Sequence, residues 1–186
     1  SGVWVVKESQ TLSRLTIAEG ASIAAPEGKY VTLTVDGVTY TPRPGTYEGD
    51  VYLTVSDDFT RSSLRFGEET VSNFHAAVIV DDGLVVEHSS VFPAIQGGQF
   101  SDKKAQGVRI ESREWDFNGF YITGDSKYEI SDTVIDLEGD GTDDFVGMGA
   151  AIAAAGDAEL TIDRTEIHTK GIGRGTLFVG GNAKVT

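Results

Sequence analysis

The chain of 186 residues contains no cysteine, which excludes disulfides, zinc–thiolate centres, iron–sulfur clusters and thiol nucleophiles. Basic residues are scarce: 15 Lys and Arg face 29 Asp and Glu, a formal charge of −14. A surface that acidic repels phosphate backbones and anionic lipid, so nucleic acid and membrane are not expected partners. No apolar run approaches the roughly 18 residues that a spanning helix needs. Proline is rare, at four residues, against 23 glycines. That balance suits a chain that turns often while keeping its amide donors. The lack of thiols is compatible with export, and the Ser1-Gly2 start reads as a mature terminus or an added remnant rather than a native beginning; an extracellular or cell-surface location is expected.

Helix signals are also nearly missing. The one plausible helical stretch is Gly149-Ala150-Ala151-Ile152-Ala153-Ala154-Ala155, short and without a cap. The rest consists of short β-branched or aromatic runs cut by Gly, Asp and Asn, which predicts an all-β chain.

Within those runs the sequence repeats. A slide of 32 places Gly124-Asp125 on Gly156-Asp157, Ile130 on Ile162, Thr133 on Thr165 and Ile135 on Ile167. A slide of 25 places Gly156-Asp157-Ala158 on Gly181-Asn182-Ala183. The shared element is an apolar residue, a second two positions later and a third five after that. It reads Leu64/Phe66/Val71, Leu84/Val86/Val91, Val108/Ile110/Trp115, Tyr128/Ile130/Ile135 and Leu160/Ile162/Ile167, and reopens at Val185. Alternation of period two makes a strand with one buried face, and the intervening residues carry a corner. A unit of this size cannot bury its apolar edge alone, so units must stack. The spacing predicts a right-handed parallel β-helix, a solenoid, over residues 61–186, with the last turn incomplete. Residues 1–60 fit the repeat poorly and read as a β-rich N-terminal cap or small β unit. An antiparallel β-sandwich is the competing architecture, because short strands separated by turns also describe it. The strand opened at Val185 leaves an edge that a further chain segment or a second chain would cover.

The run Gly156-Asp157-Ala158-Glu159-Leu160-Thr161-Ile162-Asp163-Arg164-Thr165-Glu166-Ile167 and its shifted copies resemble the secreted bacterial pectate-lyase-like β-helix proteins. That resemblance covers roughly residues 60–186 and implies the solenoid fold and a polysaccharide substrate class. Asp143-Asp144-Phe145-Val146 is faintly similar to the paired aspartates of the polygalacturonase group, without the partner motifs.

Aligned repeats put equivalent positions side by side about 4.8 Å apart. The position after the third apolar residue gives a column of Ser72, Phe92, Asp116, Asp136 and His168. Two positions on, the column holds Asn118, Glu138 and Lys170. The catalytic expectation follows from these. Asp116 and Asp136 would form a carboxylate pair sharing a proton, His168 would shuttle it, and Lys170 or Arg174 would stabilise developing charge. Loops at Gly139–Gly149 and Gly171–Gly175 would wall a cleft. The alternative reading is a row of ordinary solvent-facing polar residues with favourable cross-strand pairs.

A second motif, Asp136-Leu137-Glu138-Gly139-Asp140-Gly141-Thr142-Asp143-Asp144, alternates oxygen donors before glycine and resembles half a calcium loop. Its candidate ligands are Asp136, Glu138, Asp140, Thr142 and Asp144, with Gly147 where a closing glutamate would stand. Calcium is the one cofactor expected, and no organic cofactor is. The functional expectation is an exported enzyme, a lyase, hydrolase or isomerase, performing acid–base chemistry on a carbohydrate or other polyhydroxylated substrate. The alternative is a non-catalytic, calcium-stabilised surface adhesin or cell-wall solenoid. His75 and His88 read as surface or structural residues, and Trp4, Trp115 and Phe117 as core or stacking residues.

Overall fold

A computed structural model describes residues 2–59, 65–66, 69–70 and 74–186. The repeat members Leu64 and Val71 and the column member Ser72 lie outside the described residues. Among the described residues the chain is all-β. Helix is confined to the 3-10 turns Glu87–Ser89 and Phe92–Ala94.

The strands fall into five separate sheets of two to eight strands, mixing parallel and antiparallel pairs. This overturns the expected single right-handed parallel β-helix with a distinct N-terminal cap. The physical reason lies at the sheet edge. The N-terminal strands Gln10–Ile17, Lys29–Val35, Val38–Tyr40 and Gly45–Asp57 pair antiparallel with one another. Their free edge then continues into the later strands, because Val38–Tyr40 pairs in parallel with Glu111, Ser112 and Arg113. One eight-stranded sheet therefore runs through both regions.

Local chemistry explains the N-terminal half. Asp36 and Gly37 both have positive φ, 49° and 83°, as the two-residue turn joining Val35 to Val38 requires. Alternation along Lys29–Val35 sends Val31, Leu33 and Val35 into a core with Leu15, Ile17, Val51 and Leu53. Tyr30, Thr32 and Thr34 face the other way, toward the rest of the molecule.

Past residue 100 the repeats pair in parallel. Tyr128, Ile130 and Ile135 lie beside Leu160, Ile162 and Ile167, and Leu160 lies beside Val185. The preceding copy is displaced from the sequence alignment. Ile110 pairs with Ile135 and Ala105 with Ile130, an offset of 25 residues rather than the expected 20. Ala105, fully buried, fills the wall position that the alignment gave to a larger apolar residue.

The helix expected at residues 149–155 is also corrected. Ile152–Ala154 is a strand, parallel to Phe120–Ile122 on one side and Leu177–Val179 on the other. Its two faces enter different cores. Ile152 and Ala154 join Ile110, Ile130 and Leu160, while Ala153 and Ala155 meet Phe74, Tyr121 and Val146. The rings of Phe74 and Tyr121 stack at 3.9 Å in that second core and occupy its volume, so only methyl groups fit beside them. A strand buried on both faces carries no polar alternation, which is why composition alone reads as helix. No helix among the described residues is long and apolar enough to cross a membrane.

Candidate functional site

The outward face of the large sheet carries two charged rows. Val38, Glu111, Asp136 and His168 are successive strand neighbours, and Tyr40, Arg113, Glu138 and Lys170 form the next row along. Asp136 and His168 are thus adjacent, as are Glu138 and Lys170. Asp116 is elsewhere. The five-residue error in offset put it in the column, whereas the neighbour of Asp136 is Glu111.

Asp116 sits in a turn at φ 57°, where its carboxylate accepts from the Thr142 amide at 2.6 Å and the Thr142 hydroxyl at 2.8 Å. It ties one loop to another. Asn118 does the same, donating to the carbonyls of Gly147 and Ala150 and accepting from the Gly149 amide. Phe92 lies in a 3-10 turn, outside the rows.

Along the rows the charges compensate one another. Arg113 approaches Asp136 and Glu138, each at 3.5 Å. Lys170 donates to Glu138 at 2.8 Å, and this hydrogen bond holds the Glu138 carboxyl below its ordinary value. His168 is exposed, and its Nε2 meets Glu166 at 2.6 Å, two residues back on its own strand. Asp136, His168 and Lys170 share a face with no wall over them.

Arg174 does not reach that face. It is only 8 % exposed. Its guanidinium donates to the carbonyls of Gly139 and Glu114 at 2.6 Å, Phe117 at 2.7 Å and Gly149 at 2.9 Å. Burial pulls its proton affinity down, against the attraction of Asp116, Glu114 and Asp140. Four carbonyls bound by one planar fork make Arg174 a clip between loops.

The candidate calcium donors are separated in the same way. Asp136 and Glu138 project into the charged rows, Asp140 accepts from the Ile172 amide at 2.8 Å, and Thr142 binds Asp116. Asp144 is exposed in the turn that follows. Among the described residues no three carboxylate or imidazole groups are gathered as a metal site needs.

Sequence reasoning missed two strongly perturbed titratable groups, which lie at the seam between the N-terminal strands and the later ones. Thr32 Oγ1 lies 2.5 Å from His75 Nε2, and His75 Nδ1 lies 3.6 Å from Glu114 Oε1. The imidazole is stacked on Tyr30 at 4.9 Å and meets the edge of Phe117 at 5.1 Å. Burial pushes His75 down to about 4 and raises Glu114 well above the carboxylate range, outweighing the attraction of Arg174. Hydroxyl, imidazole and carboxyl stand in the order of a nucleophilic relay. Thr32 is fully buried, however, and 3.6 Å exceeds hydrogen-bond reach. The group fastens the seam, alongside Thr39, whose hydroxyl donates to Ser112 at 2.5 Å. Its sequence signal was a single polar residue inside the apolar run Phe74-His75-Ala76-Ala77-Val78.

One concave feature adjoins the charged rows. Where Tyr40, Arg113 and Glu138 meet the segment 41–47, a 340 Å³ pocket opens, with Trp115 and Gly139 on its far side. A larger pocket, 620 Å³, lies between Ser9–Thr11, Tyr52–Val55 and the turn carrying His88 and Phe92. Comparison with known families, curated proteins and solved structures yields no match to this chain.

Proposed function

We propose that this chain is a non-catalytic recognition module of an exported or cell-surface protein, holding a polyhydroxylated ligand such as a polysaccharide. The observation that carries this reading is the outward face itself. Its rows Glu111–Asp136–His168 and Arg113–Glu138–Lys170 are open and internally charge-paired, and the second runs directly into an aromatic pocket. The acid–base chemistry expected from the sequence needs Asp116, Asp136 and an anchoring cation to face one reacting atom. Here Asp116 is held by Thr142 and Arg174 by four backbone carbonyls, away from Asp136. Polysaccharide recognition instead uses exposed rings and fixed polar groups on a rigid sheet, which this face offers. Export agrees with the absence of thiols and with an acidic surface.

The test pairs binding with turnover. Wild type and the Asp136→Asn variant are incubated with an oligosaccharide panel, with retention on immobilised glycan and release of new reducing or unsaturated ends measured together. Retention by the wild type with no product from either protein is the expected result. Product formation that Asp136→Asn abolishes overturns the reading.

A further inference from the structure

The pocket at the end of the row Tyr40–Arg113–Glu138 has an asymmetry that the open rows lack. The whole chain carries −14, yet Arg43 and Arg113 line this pocket against the single carboxylate of Glu138. Glu138 is already compensated by Lys170 and Arg113, and Arg113 also approaches Asp136. Arg43 has no ion pair among the described residues. It is the pocket's one guanidinium without an ion pair there, and such a group selects an anion.

The other walls are suited to a sugar ring. Trp115 is 50 % exposed, a large apolar face left in solvent. Its indole lies against Gly139, where an added Cβ would come within 3.0 Å of Cδ1 at φ 119°. A glycine there lets the indole lie down on the backbone as a platform. Opposite, Tyr40 and Tyr47 stand 6.4 Å apart with planes inclined by 48°. The Tyr47 hydroxyl is fixed at both roles, donating to the Arg43 carbonyl at 3.0 Å and accepting from the Arg43 amide at 3.3 Å. Thr41 also lines the pocket, with its Oγ1 enclosed by the protein.

From these features we infer that the pocket binds one hexose unit carrying an anionic substituent, a carboxylate or a sulfate. The ring's C–H face stacks on Trp115, the anion is held by Arg43, and a ligand hydroxyl reaches Glu138. The volume of 340 Å³ admits one such unit with its neighbours in solvent. This inference rests on the recognition reading above and adds the site and the ligand's charge.

The test is calorimetric titration of the whole chain with three probes: a hyaluronan oligosaccharide carrying carboxylates, a carrageenan oligosaccharide carrying sulfates, and neutral maltohexaose. Wild type is expected to bind at least one anionic probe more tightly than maltohexaose, with affinity falling as salt rises. The preferred anionic probe identifies the substituent. Trp115→Ala is expected to weaken binding by about tenfold, with Trp115→Phe retaining part of it. Arg43→Ala is expected to abolish the anionic preference while leaving the melting temperature unchanged. Lys127→Ala, in a strand of a different sheet, is expected to change nothing. Binding by wild type that survives both Trp115→Ala and Arg43→Ala overturns this pocket and leaves the recognition reading intact. Equal binding of all three probes overturns the anionic assignment. No binding of any probe by folded wild type overturns both.

Discussion

The hydroxyl of Thr32 lies 2.5 Å from Nε2 of His75, across the seam where the N-terminal strands meet the parallel ones. The imidazole is buried between Tyr30 and Phe117, with Glu114 the only carboxyl against it among the described residues, and is held to about 4 by burial. Its value in an unfolded chain is the ordinary 6.5. The unfolded state therefore binds the extra proton first. Stability from this group is complete above about pH 6.5, declines as pH falls to 4, and amounts to about 3 kcal/mol. Glu114 acts in the opposite sense, because its folded value is raised. Its contribution is present below the ordinary carboxylate value and is lost as pH rises through the elevated one. Melting temperatures measured from pH 4 to 8 should show a shallower acid limb for His75→Gln and a flatter neutral limb for Glu114→Gln. An acid limb in His75→Gln as steep as in wild type would remove this account of the seam.

Arg174 should matter far more to folding than its sequence context suggests. Truncation to methionine leaves the carbonyls of Gly139, Glu114, Phe117 and Gly149 without their donor. The expected loss is about 3 kcal/mol in urea unfolding. Lysine recovers only part, because a single ammonium cannot span four acceptors in one plane. Full recovery by lysine would show that charge alone is what this site needs.

Gly171 and Gly175 give a matched pair. A Cβ on Gly171 would sit 2.0 Å from the carbonyl oxygen of Gly139, at φ 154°. One on Gly175 would meet only the Ala150 methyl at 3.8 Å. Gly171→Ala should cost about 2 kcal/mol or more, and Gly175→Ala close to nothing. Equal melting temperatures for the two variants would show that the turns at Gly139 and Gly171 do not stack closely.

The charged rows should be nearly silent in stability. Asp136→Asn, His168→Ala and Lys170→Ala should each melt within about 2 °C of wild type, because solvent-exposed ion pairs contribute little. Asp136, Glu138, Asp140 and Thr142 are each engaged separately, so a chelator should leave the melting temperature unchanged as well. A calcium-dependent rise that Asp140→Asn removes would restore the ion-binding reading of that loop.

What could be read from the sequence, and what could not, divides along a physical line. Strands that expose one face keep a period of two, and the pairings Ile130–Ile162, Ile135–Ile167 and Leu160–Val185 follow from it. The offset between Ile110 and Ile135 was hidden because a small residue, Ala105, holds a wall position next to a larger one, Val108. That error carried Asp116 into a row where Glu111 belongs. Ile152–Ala154 was illegible for the opposite reason, being buried on both faces. The seam of Thr32, His75 and Glu114 depends on strands brought together only by pairing between Val38–Tyr40 and the later ladder, which no local pattern announces. The continuity of that eight-stranded sheet is also why a separate cap was the wrong picture. Trp115 looked like a core residue because chemistry assigns indoles to interiors by default, whereas here Gly139 lets it lie along the surface.

The neighbouring ladders differ in one respect with a practical outcome. Ile110 and Ile135 are 25 residues apart, Ile135 and Ile167 are 32, and Ile152 and Leu177 are again 25. The surplus of seven falls wholly between Glu138 and Ile152, and the strands on both sides keep their partners regardless. Length and register are uncoupled at that loop. Its exposed tip at Asp144 and Phe145 is therefore the place to graft an epitope or a fluorophore while the sheets stay as they are.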